Sequence, residues 1–181
     1  MPIENPNQIV YIALGTNLGD RQANLEEAIV RLQPIVQVIA CSPVYETPPW
    51  GYIEQPDFLN QVVQGETSLE PMDLLDLLKR IEMEMGRVKT IQNGPRLIDL
   101  DLLFYGDLIL ETERLTLPHP RMVGRGFVLL PLADLAPNLV HPLLGLRIRE
   151  LLDEADCSGI ARYADGSCQT ADLLSNHPGK E

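Results

Sequence analysis

The stretch after Gly94-Pro95-Arg96 shows the clearest alternation of apolar and polar residues in the chain. One face of an extended segment here would carry Ile98, Leu100, Leu102 and Phe104, and the other Asp99, Asp101 and Leu103. A period of two predicts a β-strand. Aspartate is depleted in strands, so two of them on one face of an apolar strand need a chemical reason.

Two interpretations of the aspartate pair are open. Side chains at positions i and i+2 lie about 7 Å apart on the same side of a strand, so the two carboxylates can lean together. They repel each other unless a cation lies between them, and Mg²⁺ binds oxygen ligands of this kind. The alternative is a solvated edge strand whose carboxylates form salt bridges. We favour the metal site, and the rest of the chain adds to its support.

Apolar, β-branched runs predict further strands over residues 8–14, 35–45 and 58–63, and a short strand over 108–110 that returns as a hairpin. Gly15 to Asp20 is typical of a turn, in which Asn17 or Asp20 can cap the following helix. A proline-rich loop after Thr47 carries Trp50. This loop is either a ligand wall or a rigid surface connection.

Four helices are predicted, two of them from helical spacing. Leu25, Ala28, Ile29 and Leu32 form the first stripe. The clearest helix covers residues 68–85 and ends at Gly86, with Met72, Leu75, Leu78, Ile81 and Met85 as its apolar stripe. A third helix begins around Pro131 within residues 128–136, and a short one closes residues 138–152. Strands and helices that mix without regular βαβ alternation predict an α+β fold.

The length of 181 residues predicts one domain, which we bound at residues 1–153. From Glu154 on hydrophobic density falls, so residues 154–181 are expected to be a poorly ordered tail. The net charge of −12 argues against nonspecific binding to nucleic acid or an anionic membrane. The N-terminus lacks the signal-peptide pattern, and Cys41, Cys157 and Cys168 lack a close pairing or a metal-binding spacing. A reduced, cytoplasmic protein is expected.

Residues 87–125 reverse the overall sign of the charge. Six bases and His119 lie there against five acids, two of which form the aspartate pair; the bases are Arg87, Lys89, Arg96, Arg114, Arg121 and Arg125. A basic sector beside a candidate metal site suits a small polyanion such as a nucleoside triphosphate. Upstream, Asn60 shares a strand face with Phe58, and its amide needs a partner in the backbone or in a ligand heterocycle.

Five stretches carry a family resemblance. They are YIALGTNLGD, SPVYETPPWG, QPDFLNQVV, NGPRLIDLDLLFYG and ERLTLPHPRMVGRGFVLLPL. Together they resemble the 6-hydroxymethyl-7,8-dihydropterin pyrophosphokinase family of folate biosynthesis, from about Ile9 to Leu152. The resemblance implies a ferredoxin-like antiparallel sheet with helices on both faces. It also implies that the protein transfers pyrophosphate from ATP to the 6-hydroxymethyl group of the dihydropterin and releases AMP.

The resemblance assigns roles to individual residues. Asp99 and Asp101 would hold two Mg²⁺ ions, and Arg87 and Arg96 would act on the phosphates in catalysis. The pterin pocket would consist of Thr47, Pro48, Trp50, Phe58, Asn60 and Phe127. The residues that contact ATP would be Glu82, Lys89, Arg114, Thr116, His119 and Arg125. ATP and the dihydropterin would be the partners of a monomer.

Some positions depart from the family pattern. Asn93 stands where some members carry Trp, and Lys89 where Arg is frequent. Phe58 replaces a frequent Tyr, and Pro120 stands where an aromatic residue can occur. Two other functions are open: a metal-dependent phosphohydrolase that uses the same aspartate pair, and a non-catalytic nucleotide-binding module, since ferredoxin-like folds often serve as binding domains. The first leaves Phe58 and Asn60 without a purpose, and the second does not explain why both aspartates and both arginines are present.

Overall fold

The computed structural model describes residues 6–89, 91–166 and 168. Within them lie four helices, which are α1 Arg21–Leu32, α2 Pro71–Glu84, α3 Gly126–Leu135 and α4 Ile148–Asp153. The strands are β1 Gln8–Thr16, β2 Gln37–Cys41, β3 Val44–Thr47, β4 Phe58–Thr67, β5 Asp99–Tyr105, β6 Leu110–Glu111, β7 Thr116–Leu117 and β8 Ala161–Ala164.

The main sheet has six strands, and all of its pairings are antiparallel. Its order is β5-β1-β4-β3-β8, and β2 pairs with the far end of β4 beyond β3. Strands β6 and β7 form a separate pair. A mixed fold with an antiparallel sheet and helices confirms the predicted α+β class.

Helices cover both faces of this sheet. On one face α1 and α2 enclose the larger core, which includes Leu25, Leu32, Leu74, Leu78, Leu14, Leu59 and Leu100. On the other face α3 and α4 enclose a smaller core with Tyr11, Val62, Phe104, Leu129, Leu132 and Ile148. The smaller core covers only part of its face, which leaves the remainder of that face open.

A β-bulge overturns one detail of the predicted strand. Ile12 pairs with Leu102 and Tyr11 with Phe104, so Leu103 is an extra residue on β5. The shift turns Phe104 away from the face of Leu102, and its ring meets that of Tyr11 edge-on at 6.2 Å. The aspartates precede the bulge and therefore keep their common face.

The predicted strand over residues 35–45 is two strands, β2 and β3. The break falls at Ser42 and Pro43, because proline has no N–H to donate to a ladder. Ser42 is fully buried, and its Oγ accepts a hydrogen bond from the Val62 N–H at 2.9 Å. The hairpin prediction was wrong as well, since β6 pairs with β7 and not with β5.

Helix boundaries also differ from the predicted ones. The last residue of α2 is Glu84, and Gly86 closes the helix as predicted: φ is 93° at Gly86, and the Arg87 N–H donates to the Glu82 carbonyl at 3.0 Å. Its buried stripe is Leu74, Leu77, Leu78, Ile81 and Glu82, so Met72 and Leu75 lie at the margin rather than at the centre. Helix α3 begins at Gly126, ahead of the predicted start at Pro131, and Pro131 lies inside it. The Arg125 carbonyl accepts from two N–H groups and starts the helix before the proline.

The chain after Glu154 returns to the sheet. Strand β8 pairs with β3, so the expectation of poor order was wrong for residues 161–164. Most of the rest of the expected tail, namely residues 167 and 169–181, lies outside the described residues. Cys41 and Cys168 form a disulfide with Cα atoms 5.6 Å apart, which corrects the expectation of unpaired cysteines. A sequence separation of 127 residues gave no local signal of it. In the part of the chain described here, no helix is long and apolar enough to span a membrane.

Candidate active site

The register of the sheet brings the predicted site residues together. Gly15 lies on β1 rather than in the predicted turn, and it pairs with Asp99 of β5 on one side and with Asn60 of β4 on the other. Two residues earlier on β1, and on the same face, Ala13 pairs with Asp101. A Cβ on Gly15 would lie 3.0 Å from the Asn60 Oδ1. Small residues on the central strand therefore leave a cleft between the amide and the carboxylates.

All six residues predicted for the pterin pocket line this cleft, which also reaches both aspartates, Arg96, His119 and Arg125. Asn60 donates from Nδ2 to the Thr47 hydroxyl at 2.7 Å, which fixes the orientation of its amide. The Trp50 and Phe127 rings lie 6.0 Å apart, and the Arg125 guanidinium lies 5.9 and 5.6 Å from their centroids. An aromatic slot with one oriented amide can bind a flat, polar heterocycle.

Two arginines bracket Asp99. The Arg87 Nη1 lies 2.9 Å from Oδ1, and the Arg96 Nη1 lies 3.0 Å from Oδ2. The negative charge of Asp101 is less well compensated by neighbouring cations. Burial, and next the charge of Asp99, raise the pKa of its carboxyl to about 6. Asp101 is thus a half-buried carboxyl group beside another carboxylate, and a nearby cation would favour its ionised form.

Glu82 lies behind this pair and not in the lining of the cleft. It is 2% exposed, and its Oε1 accepts from the Leu100 N–H at 2.7 Å. Its Oε2 lies 2.5 Å from the Arg87 Nη1, and Lys79 lies 3.2 Å from Oε1. Glu82 thus joins the end of α2 to β5 and holds Arg87 beside Asp99. The predicted contact of Glu82 with ATP stays a prediction.

His119 reaches the cleft as a neutral imidazole. Burial, and then the charges of Arg125 and Arg121, lower the pKa of His119 to about 4. Its Nδ1 accepts from the Arg121 N–H at 3.2 Å, so the ring proton lies on Nε2. His119 can therefore donate a hydrogen bond to a ligand without adding charge.

A buried asparagine joins the two loops at the mouth of the cleft. Asn17 is 2% exposed; its Oδ1 accepts from the Arg96 N–H at 2.9 Å, and its Nδ2 donates to Gln55 at 2.9 Å and to the Pro56 carbonyl at 3.0 Å. Gln55 in turn donates to the Asn93 carbonyl at 2.7 Å. Asn93 lines the cleft in the left-handed region, with φ of 58°. The proline-rich loop and the Arg96 loop are therefore hydrogen-bonded through one side chain.

Some predicted ATP contacts lie outside the lining of the cleft. Arg114 pairs with Asp76 on the surface, Thr116 lies on β7, and Lys89 is exposed on the loop after α2. Three residues of the site region are missing from the predicted site: Asn17, Gln61 and Arg121, of which the last two line the cleft. The excess of bases at residues 87–125 was a signal for Arg121. The hydrogen bonds of Asn17 span up to 79 residues and gave none.

The carboxylate pair fits a magnesium site that is completed by a ligand. No group of three or more His, Cys, Asp or Glu that could hold a metal is present among the described residues. Mg²⁺ is commonly bound by one or two carboxylates plus substrate phosphates and water. Two carboxylates, flanking arginines and an aromatic slot are groups that can bind a phosphate chain beside a flat heterocycle.

Comparison with known proteins names the family. The model of the 7,8-dihydro-6-hydroxymethylpterin-pyrophosphokinase family matches residues 11–137. The 2-amino-4-hydroxy-6-hydroxymethyldihydropteridine pyrophosphokinase of Pseudomonas aeruginosa is 44% identical over 157 residues, which cover 86% of this chain and 96% of that protein. The enzyme of the same name from Bacillus subtilis is 48% identical over 135 residues, 74% of this chain and 81% of that one. The chain belongs to this pyrophosphokinase family.

Some relatives are much longer than this chain. The Folic acid synthesis protein fol1 of Schizosaccharomyces pombe is 44% identical over 160 residues, which cover 87% of this chain but 22% of that protein. The chain likewise spans 21% of FOL1 of Dictyostelium discoideum. A crystal structure of Plasmodium falciparum HPPK-DHPS superposes with a TM-score of 0.70 at 19% identity, over 84% of this chain and 44% of that one. This last likeness supports the fold alone.

Replacing Asp101 by Asn should stabilise the metal-free protein. The folded-state pKa of about 6 lies above the ordinary value of 3.8, so ionisation of Asp101 favours unfolding as the pH rises between these values. With a chelator present, Asp101→Asn should raise the free energy of unfolding by about 2 kcal/mol near pH 7.5. The gain should vanish as the pH falls toward about 4.

Urea denaturation across this pH range measures the effect. Asp107→Asn is the matched control, because Asp107 is exposed on the turn after the same strand. If Asp101→Asn were less stable than the unmodified protein near pH 7.5, Asp101 would not be an uncompensated carboxylate.

Replacing Asn17 by Ala should loosen both loops at the mouth of the cleft together. The substitution removes three side-chain hydrogen bonds of a buried residue, so the free energy of local opening should fall by about 2 kcal/mol. Hydrogen exchange should then be roughly thirtyfold faster at residues 52–57 and 94–97. Gln22→Ala, which removes an exposed bond to Glu26, is the control. Faster exchange in only one of the loops would show that Asn17 does not link them.

Proposed function

We propose that this chain transfers the pyrophosphoryl group of ATP to the hydroxymethyl oxygen of 6-hydroxymethyl-7,8-dihydropterin, in folate biosynthesis. One observation carries the proposal: Asn60 and Asp99 flank the same glycine across the sheet, so a heterocycle slot lies beside a carboxylate pair. Membership of the pyrophosphokinase family supports the same reaction. A phosphohydrolase would have no use for the aromatic slot.

The chemistry is a displacement at the β-phosphorus. The hydroxymethyl oxygen forms a new bond to that phosphorus and loses its proton, while the bond to the oxygen bridging the α- and β-phosphates breaks. AMP leaves with that bridging oxygen. Such reactions require positioning and charge stabilisation more than covalent help from the protein.

Asp99 and Asp101 would hold Mg²⁺, and we propose two ions bound jointly with the triphosphate. The raised pKa of Asp101 supports this, because a nearby cation would favour its ionised form. Bound magnesium would neutralise phosphate charge and lower the pKa of a coordinated hydroxyl. Arg87 and Arg96 already lie at Asp99, within reach of phosphates held there. Their planar guanidinium groups suit phosphate oxygens.

The acceptor would enter the aromatic slot. Asn60, oriented by Thr47, would read the heterocycle edge with its free amide atoms. Phe58 and Phe127 would stack on the ring, with Pro48 and Trp50 beside them. On the ATP side, neutral His119 would donate from Nε2, and Arg125 would add charge. Lys89, Arg114, Thr116 and Glu82 are kept as further proposed ATP residues, although they do not line the cleft as it stands.

We also propose the finer fold assignment, a ferredoxin-like topology. With β2 and β3 counted as one interrupted strand, the chain runs strand–helix–strand–strand–helix–strand up to β5. The order β5-β1-β4-β3 supports this assignment. We further propose a monomer with a cytoplasmic location, where ATP is supplied.

Formation of AMP from MgATP, with and without the dihydropterin, tests the function. The proposal expects AMP only when the pterin is present. Release of AMP or ADP without pterin would favour a phosphohydrolase, and nucleotide binding without turnover would favour a binding module. Either result would overturn the proposal.

Asn60→Ala tests the pocket in the same assay. Loss of the reading amide should raise the KM for pterin by about tenfold or more, and leave the KM for ATP within about twofold. Gln64→Ala is the matched control, because Gln64 lies on the same face of the same strand, away from the cleft. An equal rise in both KM values for Asn60→Ala would count against the assigned pocket.

A further inference from the structure

We propose that residues 156–166, here called the C-terminal segment, position the pterin pocket and set the affinity for the acceptor. This inference rests on the proposed function. The segment lies beyond residues 11–137, which the family model matches. It runs antiparallel to the chain from Pro48 back to Ser42, and it contacts both sides of the aromatic slot.

The first contact is with the start of α3. The backbones of Asp156 and Arg125 pair in an isolated parallel β-bridge, and a side chain on Gly126 would collide with the Asp156 carbonyl and the Cys157 sulfur. Only glycine allows the two backbones to lie this close. Gly126 stands between Arg125 and Phe127, which both line the cleft. The segment therefore fixes the backbone from which the Phe127 ring projects.

The second contact is with the proline-rich loop. Gly159 has a φ of +74°, and a Cβ there would lie 3.2 Å from the Pro48 ring. Pro48 lines the cleft, and the Gly159 backbone packs against the side of its ring that faces away from the cleft. Any side chain at position 159 would press on the pocket from behind.

The third contact completes the sheet. Ala161 pairs with Glu46 and Arg162 with Tyr45, so β8 covers what would otherwise be the free edge of β3. A four-residue edge strand frays readily, whereas a strand paired on both sides does not. Thr47, which orients the Asn60 amide, ends this strand. Pairing with β8 therefore stabilises the position of the reading amide.

Arg21 joins the segment to the same loop from the side. Its guanidinium lies 5.6 Å from the centroid of the Tyr163 ring, and its Nη1 lies 2.7 Å from Glu46 and 3.0 Å from the Asp57 carbonyl. Tyr163, β3 and the end of the proline-rich loop are thus held by one side chain. The aspartate pair lies on β5, at the opposite edge of the sheet. Through Gly159 and β8 the segment should consequently affect the acceptor half of the site. Its pairing with Arg125 is the one contact that reaches a residue proposed for the ATP side.

The test compares two valine substitutions in the full-length chain. Gly159→Val and Gly145→Val impose similar backbone strain, since φ is +74° and +67°, but only the first meets another group within 4 Å. Gly159→Val should raise the KM for pterin about tenfold and leave the KM for ATP within about twofold, because displaced binding groups weaken only the ligand they contact. Gly145→Val should leave both values within about twofold. Equal pterin KM values for the two variants would overturn the inference.

Trp50 provides a readout that is independent of turnover. It is the only tryptophan in the chain and lies in the pocket, so quenching of its fluorescence by pterin gives a dissociation constant. Tyr163→Ala is a gentler second variant, because that ring is 47% exposed and its loss should not prevent folding. It should weaken pterin binding about threefold. An unchanged constant for both Gly159→Val and Tyr163→Ala contradicts the inference, whereas a lack of pterin-dependent AMP in the unmodified chain contradicts the proposed function instead.

Discussion

Two carboxylates on one side of a single strand are the constraint on which the site depends. Asp99 is neutralised from both of its oxygens by arginines, and Asp101 is left with a pKa raised to about 6 by burial and by its neighbour. The protein thus maintains one compensated and one uncompensated carboxylate. Such an arrangement costs stability without a cation and favours binding of one. Under the proposed function, a metal–triphosphate complex would relieve this repulsion and give the arginines phosphates to bind.

The structure around the pair holds those arginines in place from two directions. The glycine cap of α2 turns the chain so that Arg87 follows at once, and buried Glu82 holds its guanidinium toward β5. Arg96 is fixed by its backbone. The Arg96 N–H donates to the Asn17 Oδ1, and the Arg96 carbonyl accepts from the Asn17 backbone N–H at 3.2 Å. One arginine is thus oriented by a salt bridge and the other by a backbone pairing. Buried polar groups that are fully hydrogen-bonded define such geometry well.

Local patterns in the sequence were sufficient to predict part of the fold around the site. Alternation placed the two aspartates on one face, and Gly86 marked the end of α2, because both depend on neighbours within a few residues. The turn of Phe104 to the other face depends on a bulge opposite β1, which no pattern within β5 reveals. Strand β8 and the Cys41–Cys168 disulfide depend on pairing across more than 100 residues. The placement of site residues in one cleft came from the family resemblance, and their assigned roles remain predictions.

Under the proposed function, the sheet would hold the acceptor and the phosphates on separate strands, side by side. Strands β4 and β5 are separated by β1 alone, so Asn60 and Asp99 lie two strand spacings apart, about 10 Å. Ala13 and Gly15 on β1 are small, so no bulky side chain lies between Asn60 and the aspartates. A heterocycle at β4 and a metal-bound phosphate at β5 would therefore lie side by side over small residues. Because Gly159 and β8 contact Pro48 and β3, on the β4 side of the sheet, changes there can alter acceptor affinity while the spacing between β4 and β5 stays fixed.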